Sequence, residues 1–288
     1  MTPLAAGGAP AGLPAVQSAD TGRGRARRRL PASVRSALML FGVLIAWEIA
    51  VRLARVPVYL LPPPSVIALR ILQDWRLILA QTWVTSAEVL MGFGLSIAIS
   101  IPLAAMLFQW RWLEETLYPL LVASQTMPKV AVAPLLVVWF GFGLAPKILI
   151  AFLICFFPIV VDSLVGFRSL PKEVLWLAKS MGASPGKTFF KIQIPAALPH
   201  IFAGIKVAAT LAVVGAVVGE FVGSDTGLGY QLIVANGSLD VRLSFAVLIV
   251  LSLIGIVLFG VVDLVERLLL PWHISQRRAG PRRAGELE

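Results

Sequence analysis

The chain holds one cysteine, Cys155, and two histidines, His200 and His273, among 288 residues. A lone cysteine closes no disulfide within the chain, and two distant histidines supply no metal cluster of the usual ligand spacing. The same scarcity leaves no nucleophile and base pair for catalysis, so the sequence does not read as an enzyme. Charge is scarce too: 14% of residues are charged, against about 25% in a soluble domain. What is abundant is apolar, with 58% hydrophobic residues and a mean hydropathy of +0.87. That balance places the chain among integral membrane proteins.

The net charge of +10 raises nucleic acid as a partner, and the run "RGRARRR" at 23–29 is its strongest sign. That run lies just before the first apolar stretch, where arginines hold the cytoplasmic flank of a membrane helix. Nucleic-acid binding is therefore not expected. Residues 1–22, rich in Ala, Gly and Pro, extend the flank, so 1–35 reads as a disordered basic cytoplasmic tail and 273–288 as a second cytoplasmic tail. The apolar run from Ala37 is long and lacks a clean small-residue cleavage pattern, which argues against a removed signal peptide.

A span needs about 20 mostly apolar residues. Six stretches qualify: 36–54, 85–108, 117–141, 146–167, 199–222 and 243–270. The expected fold is all-α, with six transmembrane helices making a membrane domain over 36–272. The third stretch is broken by Pro128, Pro134 and "FGFG" at 140–143, and an interrupted helix is tolerated where it faces a cavity or other helices. Six spans put both ends on one side, and most lysines and arginines fall on that side, which makes it the inside. Arg52, Arg55, Arg70 and Arg76, between the first two spans, run against the rule. Residues 75–85 read as an interfacial helix there, anchored by Trp75 and Trp83.

The longest inner loop is 168–198. Its "GASPGKT" imitates a phosphate-binding loop, but the spacing is one residue short, with Met181 where the first glycine is needed. Pro185 has no amide hydrogen to give a phosphate, and "EVLWLAKSM" upstream has helical rather than strand periodicity. Val174, Leu177, Ala178 and Met181 recur on one helical face. Gly182 permits a sharp change of direction, and Ser184 with Pro185 forms a cap and first-turn pair for a second helix carrying Phe189, Phe190, Ile192 and Ile194, which Pro195 should stop. Two short helices with exposed aromatics suit a groove on another protein. They equally suit a pair of helices lying on lipid.

The loop resembles the signature loop of permease subunits in binding-protein-dependent ABC importers: Glu-Ala-Ala, three residues, Gly, nine residues, Ile-x-Leu-Pro. Ala178, Gly182, Ile192 and Pro195 fall in those places, with Ile194 for the leucine; Trp176 stands for the glutamate and Leu177 for the first alanine. "LPPPSVI" at 61–67, "SQTMPKVAVAPLLVVWFGFG" at 124–143, "FFPIVVDSLVGFRSL" at 156–170 and "GEFVGSDTGLGYQL" at 219–232 are similar to the branch serving nitrate, sulfonate, taurine, thiamine-precursor or riboflavin-like solutes. The resemblance covers roughly 40–272. It implies the type I importer permease fold in a bacterial inner membrane, working as a permease pair, likewise in membrane lipid, with two cytoplasmic ATPases and an extracytoplasmic binding protein. It also implies that ATP and magnesium sit on the ATPase, with no cofactor on this chain. Leu177, Ala178, Met181, Gly182, Ala183, Ser184, Phe189, Phe190, Ile192 and Pro195 would then couple to the ATPase.

Polar residues within spans are expensive and invite functional roles. Gln125, beside the Pro128 break, and Asp162 are candidates for the translocation path. Glu48 and Glu88 read as rim residues that reach the headgroups. Glu220 lies 21 residues beyond Pro199, roughly 32 Å along a helix, so it is expected at the outer mouth with its charge solvated, as part of a gate. A secondary transporter or channel is the rival class; it would carry repeated halves or ion-coupling charges at mid-membrane, and no repeat is visible.

Overall fold

The computed structural model describes residues 32–271, and every regular element among them is helical. The tails expected at 1–35 and 273–288 lie outside the described residues, except that residues 32–35 already belong to the first helix. The chain divides into two units, Met1–Ile45 and Ala46–Glu288. Helix α1, Ala32–Leu53, begins in the first. Its 22 residues reach about 33 Å, the length of a span.

The second unit continues with α2 (Pro64–Gln73), α3 (Trp75–Gln109), α4 (Arg111–Thr126), α5 (Lys129–Phe140), α6 (Leu144–Arg168), α7 (Lys172–Ser180), α8 (Pro185–Thr188), α9 (Ile194–Gly223), α10 (Leu228–Gly237) and α11 (Val241–Leu269). Among the described residues, four helices are long and apolar enough to cross a membrane: α3, α6, α11 and the run Pro185–Gly223 that ends in α9; α4 with α5 gives a fifth crossing if the pair is one span.

Two boundaries differ from those expected, and one expected break has an angle that the sequence did not give. The residues read as an interfacial helix at 75–85 are the first turns of the 35-residue α3, about 52 Å long and so longer than the hydrocarbon core. The third span bends by 98° between α4 and α5. The break falls at Met127 and Pro128, because a proline bars the preceding residue from helix and Met127 is extended, at φ −72° and ψ 124°; Pro134 is accommodated inside α5. Finally, Pro195 does not stop its helix. Phe189–Gln193 form a π-helical turn in which the Ile194 amide reaches Phe189 O. That wider turn re-registers the ladder just where Pro195 brings no N–H, and the helix runs on to Gly223.

Packing centres on α6, against which α3 and α9 both lie. Lipid tails are as apolar as leucine, so helices in a membrane gain chiefly from close backbone approach over small residues. Gly204, Ala208, Ala212, Gly215 and Gly219 recur at helical spacing on α9, all buried. A Cβ on Gly215 would stand 2.6 Å from Ala151 Cα, and one on Gly92 of α3 would stand 2.5 Å from Ala151 Cβ. Ala151 is thus gripped from both sides. Serine hydroxyls add bonds across the α3–α6 contact: Ser96 Oγ donates to Phe152 O at 3.1 Å and Ser100 Oγ to Phe156 O at 3.1 Å. Cys155 Sγ donates to Ala208 O of α9 at 3.3 Å.

Ala151→Leu should therefore force α3 and α9 off α6 and cost about 1–3 kcal/mol or more. Thermal unfolding of the detergent-solubilised protein should register it as a clear fall in midpoint. Gly260→Ala, where nothing lies within 4 Å of the added Cβ, should leave the midpoint unchanged or slightly higher.

Candidate functional site

The 168–198 loop folds as a compact knob at one end of the helices. α7 ends at Ser180 with Met181 as its cap, and Gly182 takes φ +78°, a conformation that favours glycine. Ser184 Oγ then accepts from the Lys187 amide at 3.4 Å, and Pro185 opens α8. The face expected to be uniformly apolar divides in two. Ala178 turns inward and is buried, whereas Leu177 is 61% exposed, Met181 78% and Trp176, the residue in place of the usual glutamate, 66%.

The two phenylalanines also part company. Phe190 is 70% exposed, but Phe189 is not exposed as expected: it stacks on Phe167 of α6 at 5.8 Å, which stacks on Phe108 of α3 at 5.7 Å. The column ties the knob to the span ends, with Ile192 and Pro195 half-buried behind it and Ala183 half-buried at the turn. A cavity of about 680 Å³ lies alongside, between Met106 and Gln109 of α3 with Trp110 just beyond them, and Lys179, Pro185 and Phe190 of the knob. Next to it, Arg168 closes an ion pair with Glu114 of α4.

At the opposite end of α9, Glu220 is fully buried rather than solvated. Its Oε1 accepts from Thr85 Oγ1 at 2.6 Å, and its Oε2 accepts from the Gly229 amide. Thr85 Oγ1 in turn accepts from the Leu228 amide at 2.8 Å, and Gln81 Oε1 from the Gly227 amide at 2.5 Å. Three successive amides that open α10 are thus met by side chains of α3 and α9, with Gly227 at φ +100° supplying the turn. Beside Glu220 lies Glu88 of α3. It is not a rim residue either: it is fully buried and accepts from Lys147 Nζ of α6 at 2.7 Å.

Lys147 itself is only 4% exposed. Its stem has room because the facing α9 residue is Gly219, where a Cβ would stand 2.8 Å from Lys147 Cα. The node therefore joins α3, α6, α9 and α10. Sequence reasoning missed the pair; its signal was two opposite charges in neighbouring apolar spans near the same end. Glu48, the other residue read as a rim carboxylate, is half-buried; it pairs with Arg52 at 2.5 Å and accepts from Ser65 Oγ at 2.8 Å.

The three residues read as path or gate are not brought together. Asp162 is half-buried on α6 against Gly204, with His200 within electrostatic reach. Gly204 stands 16 residues before Glu220 on α9, about 24 Å along the axis. Gln125 sits at the α4–α5 break and accepts from Lys129 Nζ at 3.2 Å. A second, partly buried charge cluster, also unforeseen, joins Lys206 of α9 to Asp263 at 2.5 Å and to Glu266, both of α11.

Residues 93–271 match the family profile described as "Binding-protein-dependent transport system inner membrane component". The riboflavin transport system permease protein RibX of Chloroflexus aurantiacus is 39% identical over 235 residues, covering 81% of this chain and 88% of that one. The formylaminopyrimidine transport permease protein ThiX of Halalkalibacterium halodurans is 37% identical over 240 residues, covering 83% and 96%. A Bacillus subtilis permease protein named for aliphatic sulfonates transport, SsuC, is 31% identical over 244 residues, covering 83% and 87%. Among solved structures, an inward-facing MetNI methionine ABC transporter chain superposes with a TM-score of 0.58 at 20% identity, over 68% of this chain and 97% of that one, a likeness of fold.

Removing one partner of the Lys147–Glu88 pair should leave a buried charge uncompensated. Lys147→Met is expected to destabilise by about 3–5 kcal/mol. The double variant Lys147→Met with Glu88→Gln should recover much of that loss in the same unfolding measurement.

Proposed function

We infer that this chain, which belongs to the family of inner membrane components of binding-protein-dependent transport systems and is the permease subunit of an ABC importer, forms with a second copy of itself the path for a small solute. The family is one of transporter permeases, not of enzymes. The solute arrives on an extracytoplasmic binding protein, and a pair of cytoplasmic ATPases drives its release inward. ATP and magnesium belong to those ATPases. The protein sits in the bacterial inner membrane with six spans, α1 and the bent α4–α5 pair included, both tails in the cytoplasm and its lipid-facing helices in contact with membrane lipid. Its cargo class is that of the relatives' names: a heterocyclic vitamin or vitamin precursor, or a sulfonate-like ion.

The observation that carries this reading is the knob. Trp176 and Leu177 of α7, Met181 at its cap and Phe190 in the π turn after α8 are all more than 60% exposed, apolar side chains that suit a groove on a cytoplasmic partner. Phe189 and the Phe167–Phe108 column behind it offer a rigid route from that partner to the spans. Leu177, Met181, Gly182, Ser184 and Phe190 thus form the docking surface and its turn. Ala178, Ala183, Phe189, Ile192 and Pro195 support it from within. Without the glutamate of the family loop, contact at Trp176 is apolar rather than ionic.

Gly182→Trp tests the reading, because a side chain is strained at φ +78° and the turn would be re-aimed. Transport in proteoliposomes is expected to fall at least tenfold, with ATP hydrolysis either uncoupled from the binding protein or lost with the ATPase on purification. Wild-type coupling in this variant would overturn the docking assignment. Cross-linking in membranes should also trap permease pairs; a complex with one permease per two ATPases would exclude the symmetric arrangement.

A further inference from the structure

Lys129 is unlike the other lysines of the spans. Lys147 and Lys206 each meet a carboxylate across a helix contact. Lys129 has none among the described residues; its ammonium donates to the neutral Gln125 amide across the α4–α5 break, at 3.2 Å. The side chain is half-exposed, and Ser124 and Thr126 beside it are exposed, their hydroxyls bonded back to Leu121 O and Ala123 O at 2.7 Å.

The depth of this group gives it meaning. Lys129 lies within electrostatic reach of Cys155, which stands 11 residues from the start of α6 and 13 from its end. Those intervals are about 17 and 20 Å along the helix, which puts Cys155 near mid-membrane and the lysine beside it within the hydrocarbon depth. An ammonium there is too costly to face lipid and marks a wet cavity or path. The sharply broken span agrees, since irregular backbone at membrane depth is tolerated where it lines such a cavity.

We propose that Lys129 sets a fixed positive charge at the bend of the α4–α5 span, so that the translocation path favours solutes presenting anionic or other oxygen-acceptor groups and rejects cations. The proposal rests on the permease reading and adds a charge filter to it. Gln125 holds the lysine stem in place and leaves the remaining ammonium protons to face the path, where they meet carboxylate, sulfonate or carbonyl oxygens.

The test uses the whole complex, with its ATPases and binding protein, in proteoliposomes on a Cys155→Ala background. Thr126→Cys is labelled with two thiol reagents of similar size, an anionic ethylsulfonate and a cationic ethyltrimethylammonium methanethiosulfonate. Leu253→Cys, on an exposed apolar position of α11, reports lipid. Thr126→Cys should react with both reagents and Leu253→Cys with neither. Corrected for intrinsic reactivity, the anionic reagent should react about tenfold faster at Thr126→Cys; Lys129→Gln should abolish that preference and Lys129→Arg should keep it.

An unreactive Thr126→Cys, or a preference that Lys129→Gln leaves unchanged, would overturn the proposal. Ser124→Cys repeats the measurement should Thr126→Cys fail to assemble. ATPase co-purification and binding-protein-stimulated hydrolysis are read on the same samples. Their absence in the background protein would count against the permease reading itself, whereas an absent charge preference with both intact sinks only the filter.

Discussion

The close backbone approach at Ala151 is the constraint on which the rest of the structure depends. In water, burying apolar area would hold α3, α6 and α9 together; in lipid that gain is small, and contact distance decides. Gly92 on one side and Gly215 on the other let α6 lie against two helices at one level. The serine hydroxyls that bond across α3 and α6 reach carbonyls only because the backbones are this near.

The polar node near Glu220 is a product of the same contact. Gly219 makes room for the Lys147 stem, which carries its ammonium to Glu88, and Glu88 borders Glu220. Each charge is costly alone in a buried place, and their opposition offsets part of that cost. Glu220 and Thr85 then hold the first amides of α10. A short helix that could not be stable by itself is thereby fixed to two long ones, which makes α10 a part of the bundle rather than a loose loop. Asp240 does similar double duty one turn on, capping α11 through the Leu243 amide and pairing with Arg70.

At the other end, the knob is held by fewer and different contacts. Ala178 and Phe189 anchor it from within, Arg168 and Glu114 close the adjacent corner, and the wide π turn carries it into α9 without a break. Motion imposed on the knob by a partner would thus reach α6 through Phe167 and α9 through continuous helix. Gln125 and Lys129, proposed to face the path, lie on the limb least enclosed by the bundle, where a bend of 98° leaves room for change.

The apolar runs by themselves determined an all-helical membrane protein and the rough place of its four long apolar helices, because lipid admits few other ways to satisfy a backbone. The Gly182 turn and the Ser184–Pro185 start were equally legible, since they depend on residues adjacent in the chain. Pro128 foretold a break, yet not its angle. What only the tertiary structure decided were the partners of charges far apart in sequence: that Glu88 meets Lys147, that Glu220 is enclosed by Thr85 and Gly229, and that Phe189 turns inward while Phe190 does not. Helical periodicity gives each residue a face, but depth and rotation are set by which glycine lies opposite, and that is a property of two helices together.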